Sequence, residues 1–199
     1  LTGIGLGFGL AAGIAVAASN LLLVESMTRL EASLGSTVYR LNTVGVVLLA
    51  VIFLNEQLTP IKLLAIGFGV AAVLILYGGT GSRSTSQTIH IYFWVAALAS
   101  LFRACFGVIS KAALNEGVPM LLLLLPGAAC WIVGGIVYAV FRERGTRFTI
   151  KHLHHSVLAG VFVFLVVNTL LWGLERGDAS TIIPIANLSF VAVLTASVI

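Results

Sequence analysis

Seven apolar stretches of about 20 residues each account for most of this chain. They cover about 2–24, 34–54, 60–78, 90–112, 118–141, 155–174 and 179–199. A helix of about 20 apolar residues is what is needed to cross the roughly 30 Å of hydrocarbon in a bilayer. Short connections between the stretches hold most of the charged residues. The pattern predicts a chain that crosses a membrane seven times.

The composition argues against a soluble fold. Hydrophobic residues make up 59% of the chain and charged residues only 9%, whereas soluble domains carry roughly 25% charged residues. A chain of this length cannot bury nearly every helix on all sides without a membrane. The spans must be helical because lipid cannot pair with exposed backbone polar groups, and they are too long for barrel strands. We therefore predict an all-α, polytopic membrane helical bundle.

The charged residues indicate a membrane surface and do not indicate a nucleic-acid partner. The net charge of +4 comes largely from a basic loop at 142–151, which is typical of a segment beside lipid headgroups. The expected partners are membrane lipid and a small-molecule substrate, with no nucleic acid.

Sites for metals, cofactors or covalent catalysis are not predicted. The loop histidines His152, His154 and His155 lack the spacing of a zinc site, and Cys105 and Cys130 lie inside spans. The chain contains no Walker-type phosphate loop, zincin pair or nucleophile elbow. We expect no cofactor, no metal and no enzymatic activity.

Residues 26–54 and 170–199 have the features of two copies of one element. Moving the chain by 144 residues aligns Leu30-Glu31 with Leu174-Glu175 and Ser36-Thr37 with Ser180-Thr181. Both pairs stand just ahead of an apolar run. A repeat inside a membrane protein indicates how the chain folds and roughly where a ligand binds.

The first span carries a stripe of small residues that predicts close helix packing. Gly5, Gly9, Gly13 and Ala17 recur every four residues. In lipid, such residues promote helix association because they let two backbones approach closely. The stripe is expected to pack against other helices of the same chain, and the alternative is the face of a homodimer.

The third span begins with a helix-entry signal. In the connection Asn55-Glu56-Gln57-Leu58-Thr59-Pro60, Thr59 is the expected N-cap and Pro60 the first helical residue. Glu56 is expected at the membrane surface in a structural role. It would lie either in solvent or against backbone amides and a cation at a neighbouring helix end.

At this motif the chain resembles the drug/metabolite transporter superfamily, and specifically its EamA-type members. The resemblance is carried by the turn at Glu56–Thr59, by the Gly-rich run Ile66–Val70, and by residues 179–190, which are similar to the family's ninth span. It implies ten spans in two inverted five-helix repeats, with the seven spans here as the third to the ninth. Residues 1–80 would end the first repeat, 81–89 would link the repeats, and 90–199 would begin the second. On this view two spans precede the sequence and one follows it.

Membrane orientation stays open between two arguments. The basic loops 24–34, 79–89 and 142–154 fall on one side, which the positive-inside rule places in the cytoplasm. The arrangement implied by the resemblance places the same loops outside.

Candidate binding residues are the polar side chains at membrane depth. Arg103 lies near the middle of 90–112 and is either a binding cation for an anionic substrate group or a member of a structural pair. Arg40 is shallower, so its side chain is expected to reach the near interface. Tyr39 and Asn42 flank it and could line the same cavity. The other candidates are Asn20, Asn168 and Asn187, for which helix-to-helix hydrogen bonding is the alternative, and Pro184, which could kink the last span.

These features lead to one expected function and two alternatives. The resemblance implies a secondary carrier, an exporter of an amino acid or related metabolite, working by alternating access in a bacterial inner membrane. A membrane scaffold or sensor is the first alternative. A membrane-embedded enzyme is the second, although it would require acids or nucleophiles at depth that the spans lack.

Overall fold

The computed structural model describes residues 2–30, 32–79, 87–142 and 150–187, and these residues form eight helices. In chain order they are α1 (Thr2–Met27), α2 (Ala32–Tyr39), α3 (Asn42–Leu54), α4 (Pro60–Gly79), α5 (Gln87–Asn115), α6 (Met120–Arg142), α7 (Ile150–Arg176) and α8 (Ala179–Asn187). No strand occurs within these ranges. The predicted all-α helical bundle is confirmed.

Five stretches of the described chain are long and apolar enough to cross a bilayer. They are Gly3–Met27, Leu34–Leu54, His90–Asn115, Met120–Arg142 and Leu153–Arg176, and each coincides with a predicted span. The predicted span 60–78 is also helical, as α4. The predicted span 179–199 is helical up to Asn187, and residues 188–199 lie outside the described part of the chain.

The predicted span 34–54 differs from expectation because it contains two helices. The α-helical hydrogen-bond pattern is interrupted at Arg40 and Leu41, where α2 ends and α3 begins, although Leu41 keeps right-handed helical dihedral angles. Two hydrogen bonds here join residues three apart, as in a 3₁₀-helix. The Leu41 amide donates to the Val38 carbonyl oxygen at 3.0 Å, and the Thr43 amide donates to the Arg40 carbonyl oxygen at 3.1 Å. We call this interruption the α2–α3 break.

Helices α1 and α5 form the centre of the described bundle. Helix α1 packs along α5 through Ala12, Ala15, Val16 and Phe106, all of which are buried. Its other face packs along α6, and the two helices run parallel, since Gly5 lies beside Leu122 near their starts while Glu25 meets Arg142 near their ends.

The small-residue stripe of the first span forms part of this contact. A Cβ atom on Gly9 would collide with the backbone oxygen of Leu122, and one on Gly13 would lie 2.9 Å from the Cys130 Sγ and 3.0 Å from the Gly127 Cα. The stripe therefore packs inside the chain.

The outer helices present apolar side chains to their surroundings. On α7, an unbroken run from Leu153 to Val166 is exposed, and on α4 the exposed set includes Ile61, Leu64 and Phe68. A protein with so large an exposed apolar surface would aggregate in water. The same side chains are compatible with the hydrocarbon of a bilayer. These helices occupy the lipid-facing positions of the bundle.

Candidate functional site

The α2–α3 break joins four polar residues into one cluster. The Arg40 Nη1 donates to the backbone oxygen of Asn187 at 2.8 Å. The Asn187 Nδ2 donates to the Asn42 Oδ1 at 2.8 Å and to the Thr43 Oγ1 at 2.7 Å. Asn42 is buried, and the other three residues are half-buried. We call these four residues the crossing cluster, because they join the α2–α3 break to the end of the described part of α8.

The crossing cluster lies well inside the helices that it joins, at a depth that would correspond to the middle of a bilayer. Thr43 is nine residues beyond Leu34, the start of its span, and Asn187 is eight residues beyond Ala179, the start of α8. At about 1.5 Å per residue, the two lie roughly 12–14 Å from opposite ends of their spans. This is nearly half of the roughly 30 Å hydrocarbon thickness.

Two members of the cluster hold equivalent positions in the sequence repeat. Thr43 and Asn187 are 144 residues apart and hydrogen-bond directly, and 144 is the offset that aligns the repeated motifs. Contact between equivalent residues is what a local two-fold axis between two copies produces. The repeat therefore offered a signal for Thr43, which our sequence-based selection of residues missed.

A second polar cluster lies beside the first, between α1, α2 and α5. The buried Ser19 Oγ donates to the Ala99 carbonyl oxygen at 2.8 Å and lies 3.2 Å from the Tyr39 hydroxyl oxygen. The Tyr39 hydroxyl also lies 3.5 Å from the Asn20 Oδ1. Tyr39 and Asn20 were candidates from the sequence, whereas Ser19 was not. Because Tyr39 precedes Arg40, the two clusters adjoin at the α2–α3 break.

The side chains of Arg103 and Asn168 contact residues of their own helices. The Arg103 guanidinium carbon lies 5.2 Å from the centre of the Phe106 ring, one turn along the same helix. The Asn168 Nδ2 donates to the Phe164 carbonyl oxygen of its own helix at 2.8 Å.

Glu56 joins the end of α3 to the beginning of α8 at one surface of the bundle. Its Oε1 accepts from the Ala179 amide at 2.8 Å, and its Oε2 accepts from the Ser180 amide at 3.0 Å and from the Ser180 hydroxyl. Backbone amides at a helix start carry partial positive charge and favour a carboxylate. Glu56 therefore lies against backbone amides and a cation at a neighbouring helix end, and not in solvent. Its carboxylate caps the start of α8.

A lysine completes the Glu56 cluster. The Lys62 Nζ lies 3.8 Å from the Glu56 Oε2 and 3.6 Å from the Asp178 Oδ2, and it donates to the Gln57 carbonyl oxygen at 3.0 Å. The Lys62 amide in turn donates to the Thr59 Oγ1 at 3.4 Å, the geometry of an N-cap ahead of Pro60. The turn at 55–62 thus both starts α4 and holds α8.

An ion pair joins α1 and α6 at the opposite surface. The Arg142 Nη2 and Nε donate to the two Glu25 carboxylate oxygens at 2.7 and 3.2 Å, and the Tyr138 hydroxyl donates to the Glu25 Oε2 at 3.0 Å. Both surfaces of the described bundle therefore carry a polar contact between α1–α4 and the later helices.

The described residues contain no group of three or more His, Cys, Asp or Glu side chains that could hold a metal ion. The side chains of the two clusters at the α2–α3 break are amides, hydroxyls and one guanidinium group. Such groups bind and orient a solute by hydrogen bonds and charge.

Comparison with protein families identifies the first part of the chain. Residues 2–78 match the sequence model of the EamA-like transporter family. Over these residues the chain is similar to that family. Searches of curated proteins and of solved structures found no significant match. The match spans α1 to α4 and includes the α2–α3 break and the Glu56 turn.

The family match and the apolar helices together define the general class. The match over residues 2–78 and the five helices long and apolar enough to cross a bilayer together indicate an integral membrane protein. The resemblance drawn from the Glu56 motif is confirmed.

Proposed function

We propose that this protein is a secondary carrier that moves a small organic metabolite, such as an amino acid or a related compound, out of the cell by alternating access. The observation that supports this most directly is the crossing cluster. It joins a cation, two amides and a hydroxyl at an interrupted helix, well inside the apolar span, and two of these residues are equivalent in the sequence repeat. Interrupted helices at a repeat interface are where secondary transporters bind their solutes.

The proposed movement is a rocking of two inverted repeats about the crossing of α3 and α8. Polar contacts between the two repeats exist at both surfaces, through Glu56 at one and Glu25 at the other. Rocking would tighten the contact at one surface while loosening the other, and the crossing cluster near the axis would move least. The proposed location is a bacterial inner membrane, where the protein could work as a monomer or a homodimer.

Among the sequence candidates, the proposed solute-binding residues are those that meet at or beside the α2–α3 break. They are Arg40, Asn42, Asn187, Tyr39 and Asn20, with Thr43 and Ser19 added by the structure. Arg103 and Asn168 would act only if a solute extends along α5 or α7 beyond the clusters.

Transport can be tested without knowing the substrate. Full-length protein is reconstituted into liposomes loaded with a metabolite extract of the expression host, and the compounds retained are measured over time by mass spectrometry. We expect a small set of metabolites to leave protein-containing vesicles faster than protein-free vesicles. Identical loss from both would overturn the carrier function and favour a scaffold, whereas appearance of new compounds inside the vesicles would favour an enzyme.

A further inference from the structure

The two copies of the sequence repeat are interrupted at equivalent positions. The α2–α3 break lies at Arg40 and Leu41, and adding the repeat offset of 144 to position 40 gives Pro184, inside α8. Each interruption comes three residues before a member of the crossing cluster, Thr43 in the first copy and Asn187 in the second. Equivalent weak points in two copies of one element point to a shared use.

Pro184 removes one hydrogen bond from the middle of α8. An α-helical carbonyl accepts from the amide four residues further on, so the partner of the Ser180 carbonyl would be the amide of residue 184, which proline lacks. The helix nevertheless continues on both sides, from Ala179 to Asn187. Sharp bends in helices occur almost always at proline or at a comparable defect, because the missing bond no longer resists bending. Helix α8 can therefore bend at this point without unfolding.

The first turn of α8 is bonded to the Glu56 surface of the bundle. The Ala179 and Ser180 amides donate to the two Glu56 carboxylate oxygens at 2.8 and 3.0 Å. The Ile182 side chain lies against Gly177 of the preceding turn, where an added Cβ would come within 3.1 Å of it. These contacts join the start of α8 to the turn after α3 and to the turn after α7.

The part of α8 after Pro184 is bonded to the crossing cluster. The Asn187 side chain donates to Asn42 and Thr43, and the Asn187 carbonyl oxygen accepts from Arg40. The contacts with the Glu56 surface and those with the crossing cluster thus lie on opposite sides of the proline.

A close contact with α5 lies next to Pro184 and between these two sets of contacts. Ile183 is buried, and its Cδ1 occupies the space that a Cβ on Gly107 would need. The missing side chain at 107 lets α8 approach α5 here, and Val46 of α3 packs against the same glycine. Ile183 is therefore held between α3 and α5, at the place where a pivot of α8 would lie.

We infer that Pro184 is a positioning residue for transport: α8 bends there, so that its first turn can leave Glu56 while Asn187 stays in the crossing cluster. This inference rests on the proposed carrier function, because the bend lets one surface open without dispersing the solute-binding residues. The α2–α3 break serves α2 in the same way at the opposite surface.

The lengths involved show why a joint is needed. Ala179 lies roughly 7 Å along the helix from Pro184, so a bend of about 20° moves it by about 2–3 Å. This is enough to break its hydrogen bond to Glu56, at 2.8 Å. If α8 were rigid, the same rotation about Ile183 would also move Asn187, about 6 Å to the other side, by about 2 Å. The bonds of Asn187 in the crossing cluster, at 2.7 and 2.8 Å, would then break as well.

Removing the proline tests the joint. Pro184→Ala supplies an amide for the Ser180 carbonyl and stiffens α8. In the liposome assay with host metabolite extract, full-length Pro184→Ala is expected to lower the maximal export rate by about 3- to 10-fold, the factor that corresponds to one helical hydrogen bond. The half-saturating concentration should stay within about twofold of wild type, because the crossing cluster is intact. Pro184→Gly should recover at least about half of the wild-type rate, since glycine lets a helix bend without the proline ring.

Hydrogen–deuterium exchange provides a readout that needs no solute. In lipid nanodiscs, the amides of 179–183 should exchange at least about threefold faster in wild type than in Pro184→Ala, because bending exposes the first turn of α8. The matched control is Pro126→Ala, the same change inside α6, which should leave the export rate and the exchange of α8 unchanged. Detergent size-exclusion chromatography shows whether each variant folds. If Pro184→Ala does not fold, Pro184→Leu supplies the same amide and replaces it in both measurements.

Different results overturn different conclusions. An unchanged export rate together with unchanged exchange in Pro184→Ala would overturn the joint and leave the carrier function intact. A raised half-saturating concentration with an unchanged maximal rate would also overturn it, and would place Pro184 in solute binding. If Pro184→Gly did not recover the rate, packing of the proline ring and not bending would be responsible. If wild type exported nothing, the carrier function would fail, and the exchange comparison would decide by itself whether α8 bends at Pro184.

Discussion

Two residues at the end of α3 show how single side chains position a whole helix. Asn55 adopts a left-handed backbone conformation, with φ of 53°, and its amide donates to the Ala50 carbonyl oxygen. This closes α3 and turns the chain sharply. The next residue, Glu56, then reaches the start of α8 with both carboxylate oxygens. Asn is one of the few residues with a side chain that tolerates this conformation readily.

Replacing Asn55 tests the conformational part of this arrangement. Asn55→Val is expected to lower the free energy of unfolding by about 1–2 kcal/mol, because a β-branched side chain is strained at positive φ. Asn55→Gly is the matched control and should be nearly neutral. Thermal denaturation of the purified protein in detergent measures both, and equal behaviour of the two variants would show that the backbone conformation matters little.

Replacing Glu56 tests the electrostatic part. In Glu56→Gln, the carboxamide NH₂ cannot accept a hydrogen bond, so an amide or hydroxyl at the start of α8 loses its acceptor and Lys62 loses a negative neighbour. We expect a loss of about 1–3 kcal/mol in the free energy of unfolding, since the Glu56 side chain is 6% exposed. Glu116→Gln, at an exposed turn, should change stability little. A Glu56 variant as stable as that control would contradict the capping role.

At the scale of helices, the contact between α1 and α6 depends on the absence of side chains. Gly5, Gly9 and Gly13 bring the two backbones together along one stripe. Lipid supplies no hydrophobic force between helices, so close van der Waals contact must hold this pair. The neighbouring ridge contributes less, since a Cβ on Gly3 or Gly7 would meet nothing within 4 Å.

A pair of glycine variants tests this contact. Gly9→Ala is expected to cost about 1–3 kcal/mol, because the new methyl group would overlap the Leu122 backbone and force the helices apart. Gly7→Ala lies on the open ridge, where it should be neutral or stabilise the helix by up to about 1 kcal/mol. Unfolding midpoints in detergent should rank the variants in that order, and the reverse order would refute the packing assignment.

The helices also show what the sequence could and could not predict. Hydropathy located the five long spans because a single property, the length of an apolar run, decides whether a helix can cross a bilayer. The α2–α3 break was missed because no Pro or Gly stands at Arg40 or Leu41. Polar character picked out Arg40, Asn42 and Asn187 individually. The hydrogen bonds between these residues depend on how α3 crosses α8. No local pattern in the sequence indicates that crossing.

At the scale of the whole molecule, the two surfaces carry contacts of very different burial. The Arg142–Glu25 pair has the shorter separation, 2.7 Å, but its side chains are 52% and 26% exposed. The Lys62–Glu56 pair is longer, at 3.8 Å, and its side chains are 10% and 6% exposed. Water screens the first pair more strongly than the second.

Burial should therefore outweigh distance when the two pairs are compared. A double-mutant cycle on Glu25→Gln and Arg142→Gln is expected to give a coupling of about 0.2–1 kcal/mol that decreases as salt is added. The equivalent cycle on Glu56→Gln and Lys62→Gln should give a larger coupling that depends less on salt. A larger coupling for the Glu25 pair would mean that distance governs both contacts.

Because α1 packs against α5 and α6, we expect that neither half of the chain folds stably alone. The first half would lose the neighbours of its central helix, and the second would be left with an open groove along α6. If the gene is split between α4 and α5, each polypeptide made alone should be degraded, whereas the two made together should be recovered as a complex. Pulse-chase labelling of the two fragments, separately and in one cell, measures this mutual dependence.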